Sequence, residues 1–362
     1  MEQRPGRTCS LANLTPSSDC QVLPRRTRFY CSDGVTLAGH VWSPPSASAI
    51  VIVNPATGVL ARYYHRYAKF LAEHGFEVIT YDYRGIGESR PEDLRRCGFR
   101  WSEWGTKDFA AVLDVADGMA AGRPIMVVGH SIGGFLPGLA RGFDRCSALL
   151  SVAGQYAYWR DYASGSRLGS LLKWHVVMPA FTAVLGYFPG RRLGWLEDLP
   201  ANVAFEWAFR RARVEQSFPR AQRREIVERL AAFRGPLLAV TATDDPYGTS
   251  AAINRALAYY SGAQKSLALI SPSDLGVASI GHFDRFHARH QNGFWQATAE
   301  WLSPVGGYGT SDRSGLRRRP CLTVQLTWAP LRFPYYERLY CAKTLHSGAF
   351  LDERAIPSRR PC

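Results

Sequence analysis

The sequence predicts an α/β fold with a mainly parallel central sheet flanked by helices. Two observations carry the prediction. From Arg26 to about Pro304, short β-rich runs alternate with amphipathic helical patterns. Several of those runs are apolar on both faces, as strands covered by helices on each side must be.

The elements follow in chain order. Arg26–Cys31 and Thr36–Trp42 read as an antiparallel pair turned at Asp33-Gly34, a dipeptide suited to tight hairpins. Ile50–Val53 is a β-branched strand, and Tyr63–His74 is an amphipathic helix closed by Gly75. Phe76–Tyr83 is the next strand. Trp104–Ala121 is a helix with Phe109, Val112, Leu113 and Ala116 on one face, followed by a strand over Pro124–Gly129 and a helix-compatible run, Phe135–Ala140. Ala148–Val152 and Pro236–Thr241 complete the central strands, and Ser266–Ile270 is peripheral. Asn254–Tyr260 and Gly293–Trp301 read as the last two helices.

The sixth strand is followed by a long insertion without a strand pattern, at about 155–230. Its first 56 residues, 155–210, hold twelve aromatic side chains, well above the chain average of 12%. This segment is expected to form a mostly helical lid. Residues 1–25 are irregular, 26–304 form the domain, and 305–362 lose any sustained hydrophobic period, which predicts a poorly ordered basic tail.

Composition narrows the function classes. The net charge of +14 invites a nucleic-acid reading, but +3 lies in residues 1–28 and +6 in 306–362, leaving +5 for the rest. A nucleic-acid partner is therefore not expected. Eight cysteines show neither Cys-x-x-Cys nor zinc-ligand spacing, so no metal is expected, and free thiols point to a reducing, cytoplasmic setting. No motif calls for a cofactor. The start of the chain has no apolar signal core, and the longest apolar stretch, Leu171–Phe188, is broken by Lys173, His175, Pro179 and Gly186. Stable membrane insertion is not expected, and oligomeric state is left open.

One constellation carries chemistry. Gly129-His130-Ser131-Ile132-Gly133 matches Gly-x-Ser-x-Gly, the nucleophile elbow, in which serine sits on a strained strand-to-helix turn. The pentapeptide is weak evidence alone. Here it directly follows the apolar run Ile125–Val128 and precedes a helix-compatible segment, which is the context the motif requires.

A serine hydroxyl needs a base within hydrogen-bond reach and a carboxylate to orient that base. Enzymes built on this elbow place the acid, then the histidine, downstream of the serine. His282, His287, His290 and His346 are the candidates; His282, in the loop Ile280-Gly281-His282-Phe283 between the last strand and the last helix, is the expected base. His287 and His290 lie in a polar stretch that reads as surface, and His346 lies in the irregular tail. Asp244 and Asp245 stand side by side after the strand at 236–241. Asp245, preceding Pro246, is favoured as the acid, with Asp244 capping the following turn.

The oxyanion of such a reaction needs two N–H donors, one from the residue after the nucleophile and one from the loop after the third strand. Ile132 supplies the first. Pro55 has no N–H, which leaves Ala56 as the expected second donor and Thr57 as runner-up. Thr57, His130, Tyr156 and Trp159 are expected against substrate. The lid offers an apolar pocket through Trp159, Trp174, Trp195, Trp207 and neighbouring tyrosines. Arg191, Arg192, Arg210, Arg211 and Arg213 read as a solvated helix face.

Gly-His-Ser-Ile-Gly-Gly at 129–134 and Asp82-Tyr83-Arg84-Gly85-Ile86-Gly87-Glu88-Ser89 resemble the α/β-hydrolase superfamily, the second resembling a segment of its lipase-like and serine-aminopeptidase-like branches. With Asn54–Gly58 and Gly-Tyr-Phe-Pro-Gly at 186–190, the chain is similar to a group of bacterial predicted α/β hydrolases whose substrates are not established. The resemblance covers about 26–304. It implies the fold, the order of the triad and a hydrolytic reaction, but no substrate; the serine, acid and base residues themselves lead to the expectation of a small-molecule carboxylic ester or thioester cleaved through an acyl-enzyme on Ser131. Asn54-Pro55 departs from the more usual His-Gly of the oxyanion loop. Asp82 and Arg84 are expected to pin their loop by ion pairing rather than to react. An acyltransferase using the same residues, or a binding protein that kept the fold without turnover, are the alternatives.

Overall fold

The computed structural model describes residues 22–304. The segments 1–21 and 305–362, and with them the expected basic tail and His346, lie outside the described residues.

The sheet has eight strands: β1 (Pro24–Tyr30), β2 (Thr36–Trp42), β3 (Ala49–Asn54), β4 (Phe76–Tyr81), β5 (Ile125–His130), β6 (Ala148–Val152), β9 (Pro236–Ala242) and β10 (Gln264–Ile270). A separate two-stranded ribbon, β7 (Tyr187–Phe188) with β8 (Leu199–Pro200), lies inside the insertion, where the sequence shows no strand pattern. Across the large sheet the order is β1-β2-β4-β3-β5-β6-β9-β10. β1 pairs antiparallel to β2 and β2 antiparallel to β4; the remaining pairs are parallel.

The runs read as buried strands are buried: every residue of β3, β5 and β6 is in the interior. β10 is one edge, opposite β1, and its partly exposed pattern fits one covered face. The hairpin turns at Asp33-Gly34, where Gly34 adopts φ +83°.

The expected helices are present with shifted ends. Residues 101–120 form one helix containing a π-helical turn at Trp104–Phe109, and Phe109, Val112, Leu113 and Ala116 are its fully buried face. The run after the elbow differs from expectation, being two 3-10 turns, Ser131–Gly134 and Leu136–Leu139, rather than an α-helix. Pro137 explains it, because proline has no N–H to bond the Gly133 carbonyl four residues back. Asn54 Nδ2 donates to that carbonyl instead, at 3.4 Å.

The insertion between β6 and β9 is mostly helical. Its helix Arg167–Leu185 is the one helix among the described residues that is, by length and composition, long and apolar enough to cross a membrane. Ser170, Trp174, Met178 and Thr182 form the face that packs inward.

Candidate active site

Ser131 follows the last residue of β5 with φ +54°, the left-handed region that a non-glycine residue occupies only at a cost of about 1–2 kcal/mol. The flanking glycines make that turn possible. A Cβ on Gly129 would stand 2.1 Å from the Gly133 carbonyl oxygen, and one on Gly133 would stand 2.5 Å from the backbone oxygens of Asn54 and Pro55. Elbow and β3 loop are therefore in backbone contact. Asn54 reinforces the contact, its Nδ2 donating to the Gly133 carbonyl while its Oδ1 accepts from the Tyr81 hydroxyl at 2.8 Å. Gln155 Nε2 donates to Ser131 Oγ at 3.4 Å.

Asp245 lies three residues past the end of β9, on the loop that follows it. Both its carboxylate oxygens lie 2.9 Å from His282 Nδ1. The amides of Tyr247 and Gly248 donate to Oδ1 at 2.9 and 2.7 Å, and Arg285 Nη2 donates to Oδ2 at 3.1 Å. Burial raises the pKa of this carboxyl, but the neighbouring His282, its hydrogen bond and the Arg285 guanidinium outweigh burial and hold it well below the ordinary carboxylate range. Asp245 is an anion facing an imidazole.

Asp244 does not cap its own following turn as expected. Its carboxylate reaches across to the base loop, accepting from the amides of Ile280 at 2.8 Å and Gly281 at 3.0 Å. Two adjacent aspartates thus hold one loop, one by its backbone and the other by its imidazole.

Arg285 carries no sequence signal that separates it from the polar stretch around it. It is fully buried, and besides Asp245 it donates to the carbonyls of His282 at 3.1 Å and Gly281 at 3.2 Å. His287 and His290 stay out of this cluster: His287 Nδ1 accepts the Arg289 amide, and His290 pairs with Asp284.

A cavity of about 110 Å³ opens over these groups. Ser131, Ile132, His282, Ala56 and Thr57 line it together with Gln155, Tyr247 and Phe283. The insertion supplies the rest, chiefly Tyr162, Trp174, Trp195 and Trp207. Trp174 and Trp207 stack at 4.6 Å, and their indole N–H groups donate to Tyr247 and Tyr162 respectively, each at 3.3 Å. Leu196, which also lines the cavity, packs on Gly58, and the Glu197 amide donates to the Gly58 carbonyl at 2.9 Å.

Several sequence expectations fall elsewhere. The Ala56 N–H donates to the Tyr64 hydroxyl at 3.0 Å, so it is already bonded. His130 is 1% exposed and does not line the cavity; both its ring nitrogens are engaged, Nδ1 with Tyr64 at 2.7 Å and Nε2 with the His282 carbonyl at 2.9 Å. Burial pushes its pKa well down, which keeps the ring neutral. Tyr156 is buried beside the cavity rather than in its wall, its hydroxyl donating to the Ala212 carbonyl at 2.6 Å. Trp159 packs against Arg160 and His175 outside the lining.

Arg210 is not on a solvated face: it is buried, its guanidinium 3.9 Å from the centre of the Trp101 ring, while Arg191, Arg192, Arg211 and Arg213 are exposed. Asp82 and Arg84 are struts. Asp82 accepts the amides of Ala61 and Glu88 at 2.7 and 2.9 Å, and Arg84 pairs with Asp108 at 2.6 Å and Asp33 at 2.7 Å. Among the described residues no group of three or more His, Cys, Asp or Glu side chains is placed to hold a metal.

Strand order, the strained elbow and the carboxylate–imidazole pair define an α/β-hydrolase fold carrying an elbow serine. The chain belongs to the alpha/beta hydrolase family, whose sequence profile matches residues 50–283. Solved structures share the fold at low identity. A soluble variant of monoglyceride lipase from Saccharomyces cerevisiae, in complex with a substrate analogue, is 14% identical with a TM-score of 0.56, over 80% of this chain and 98% of that one. DcsB in complex with its substrate analogue is 15% identical with a TM-score of 0.53, over 77% and 98%. A Pyrococcus furiosus esterase is 14% identical with a TM-score of 0.52, over 81% and 95%. No curated protein matches the chain by sequence.

Proposed function

We propose that the protein is a serine hydrolase that cleaves a carboxylic ester or thioester through an acyl-enzyme on Ser131. The observation that carries the reading is the Asp245 carboxylate held 2.9 Å from His282 Nδ1, with His282 and the strained Ser131 in the wall of one cavity. Asp245 fixes the proton on Nδ1 and leaves Nε2 as the base.

In the first step Ser131 Oγ attacks the carbonyl carbon while His282 Nε2 takes the hydroxyl proton. The tetrahedral oxyanion accepts from the Ile132 N–H, which sits at the start of a helical turn where amides have no partner within the helix. Because the Ala56 amide is bonded to Tyr64, Thr57, also in the cavity wall, supplies the second N–H. The carbon–oxygen or carbon–sulfur bond then breaks, and the leaving group takes the proton from His282. Water, deprotonated by the same nitrogen, attacks the acyl carbon and releases the acid and Ser131. The insertion acts as a lid that keeps this cavity dry.

The test combines a fluorophosphonate label with 4-nitrophenyl esters and acyl thioesters of graded chain length. Wild type is expected to be labelled and to turn over short esters, and Ser131→Ala to do neither. A wild type that is inert to the label and to every ester and thioester sinks the reading.

A further inference from the structure

Lys173 is the one residue in the wall of the Ser131 cavity with a permanent charge, and none of the lining residues is Asp or Glu. Its Nζ lies 4.2 Å from the centre of the Trp195 ring and 4.5 Å from that of Trp174. Among the described residues it makes no ion pair with a carboxylate, and no charged neighbour contributes to its pKa shift. Lysine ordinarily extends its ammonium into water. Here the ammonium is folded onto two indoles, and desolvation lowers its pKa.

The backbone accounts for the placement. Lys173 belongs to the π-helical turn Leu172–Val177 within Arg167–Leu185, and a π turn brings an extra residue onto a helix face. Trp174 fills the buried position and Lys173 reaches the same cavity beside it. Lys173 is partly buried, and the two ring faces offset part of its lost hydration while leaving its N–H donors open to a further partner.

We propose that Lys173 is a specificity-determining residue that receives an anionic group, a carboxylate, on the ester substrate. The inference rests on the hydrolase reading of the same cavity and narrows it to esters that carry a negative charge near the scissile carbonyl. The cavity, about 110 Å³, is small beside the roughly 300–1,000 Å³ of common ligand pockets, so the charge belongs on a short acyl or alcohol group.

Two matched substrate pairs test this. The first compares 4-nitrophenyl butyrate with 4-nitrophenyl hemisuccinate, placing the charge on the acyl side. The second compares the butyrate esters of 4-ethylphenol and 4-hydroxyphenylacetate, placing it on the leaving group. Wild type is expected to favour the anionic member of one pair by about tenfold in kcat/KM, chiefly through KM. K173M is expected to lose that preference and K173R to keep it. Equal kcat/KM for both members of both pairs in wild type, or a preference that survives in K173M, overturns the inference while leaving the hydrolase reading intact. Calorimetric titration of monomethyl succinate into S131A and into S131A/K173M reads the same contact without turnover. Equal affinity there overturns the inference, and about tenfold weaker binding to the double variant supports it even if no ester is cleaved.

Discussion

The Tyr64 hydroxyl stands 2.7 Å from His130 Nδ1, and this contact ties the turn at Ser131 to the turn that follows β3. The direction of each bond follows from its neighbours. His130 Nε2 faces the His282 carbonyl at 2.9 Å, and a carbonyl only accepts, so Nε2 carries the proton. Nδ1 is then the lone-pair nitrogen, Tyr64 donates to it, and the phenol oxygen accepts the Ala56 amide at 3.0 Å. One buried relay thereby links Ala56, Tyr64, the residue before Ser131 and the backbone of His282. Burial raises the Tyr64 pKa well above that of a free phenol, so the hydroxyl remains a donor.

Tyr64→Phe removes the middle of that relay and leaves the Ala56 amide and His130 Nδ1 buried without partners. The expected cost is about 1–3 kcal/mol of stability, with a lower kcat from a displaced turn after β3. Urea unfolding and ester kinetics read the two effects. Unchanged values in both would show that the relay does not hold the site.

The adjacent aspartates should separate cleanly. Asp245→Asn removes the acceptor that fixes the Nδ1 proton of His282, with an expected drop in kcat of about 10³–10⁴-fold. Asp244→Asn weakens two backbone anchors of the same loop, with an expected loss of about tenfold or less. Steady-state kinetics on one ester decides between them, and equal losses would contradict the division of roles.

A pair of glycine substitutions tests the close approach at the elbow. Gly133→Ala places a methyl 2.5 Å from two backbone oxygens of the β3 loop, neither of which can rotate away, and should cost about 3 kcal/mol together with activity. Gly118→Ala, on an exposed helical position with nothing within 4 Å of the new carbon, should stabilise by about 0.5–1 kcal/mol. Thermal unfolding of both variants checks the opposite signs.

Acid should destabilise the fold in part through a buried histidine. Burial lowers the His65 pKa to about 4, helped by nearby His40, whereas an unfolded histidine titrates near about 6.5. The unfolded chain therefore binds the proton first, and stability falls as pH drops from about 6.5 towards 4. His65→Gln should flatten that part of the pH–stability curve, and parallel curves for variant and wild type would exclude His65 as a source.

Much of the framework is legible in the chain because burial on both faces writes a local pattern. β3, β5 and β6 read directly from runs such as Ile50–Val53, and the elbow reads from Gly129, Ser131 and Gly133 behind such a run. The pocket wall is less legible. Trp159 and Tyr156 are no different in local sequence from Trp174 and Trp207, and only the π-helical turn at Leu172–Val177 and the stacking of Trp174 on Trp207 turn the latter pair to the cavity. Arg285 escapes sequence reading because its partners are Asp245, forty residues away, and two backbone carbonyls.

By itself the sequence determined the αβ alternation, the serine at a turn only flanking glycines permit, and the candidates for acid and base, since each depends on neighbours a few residues apart. Tertiary structure alone decided that Asp245 meets the imidazole while Asp244 meets the loop backbone, that His130 is a buried strut, and that the Ala56 amide is occupied. Those choices turn on distances between segments far apart in the chain, and a difference of an ångström or two in packing sets which atoms bond.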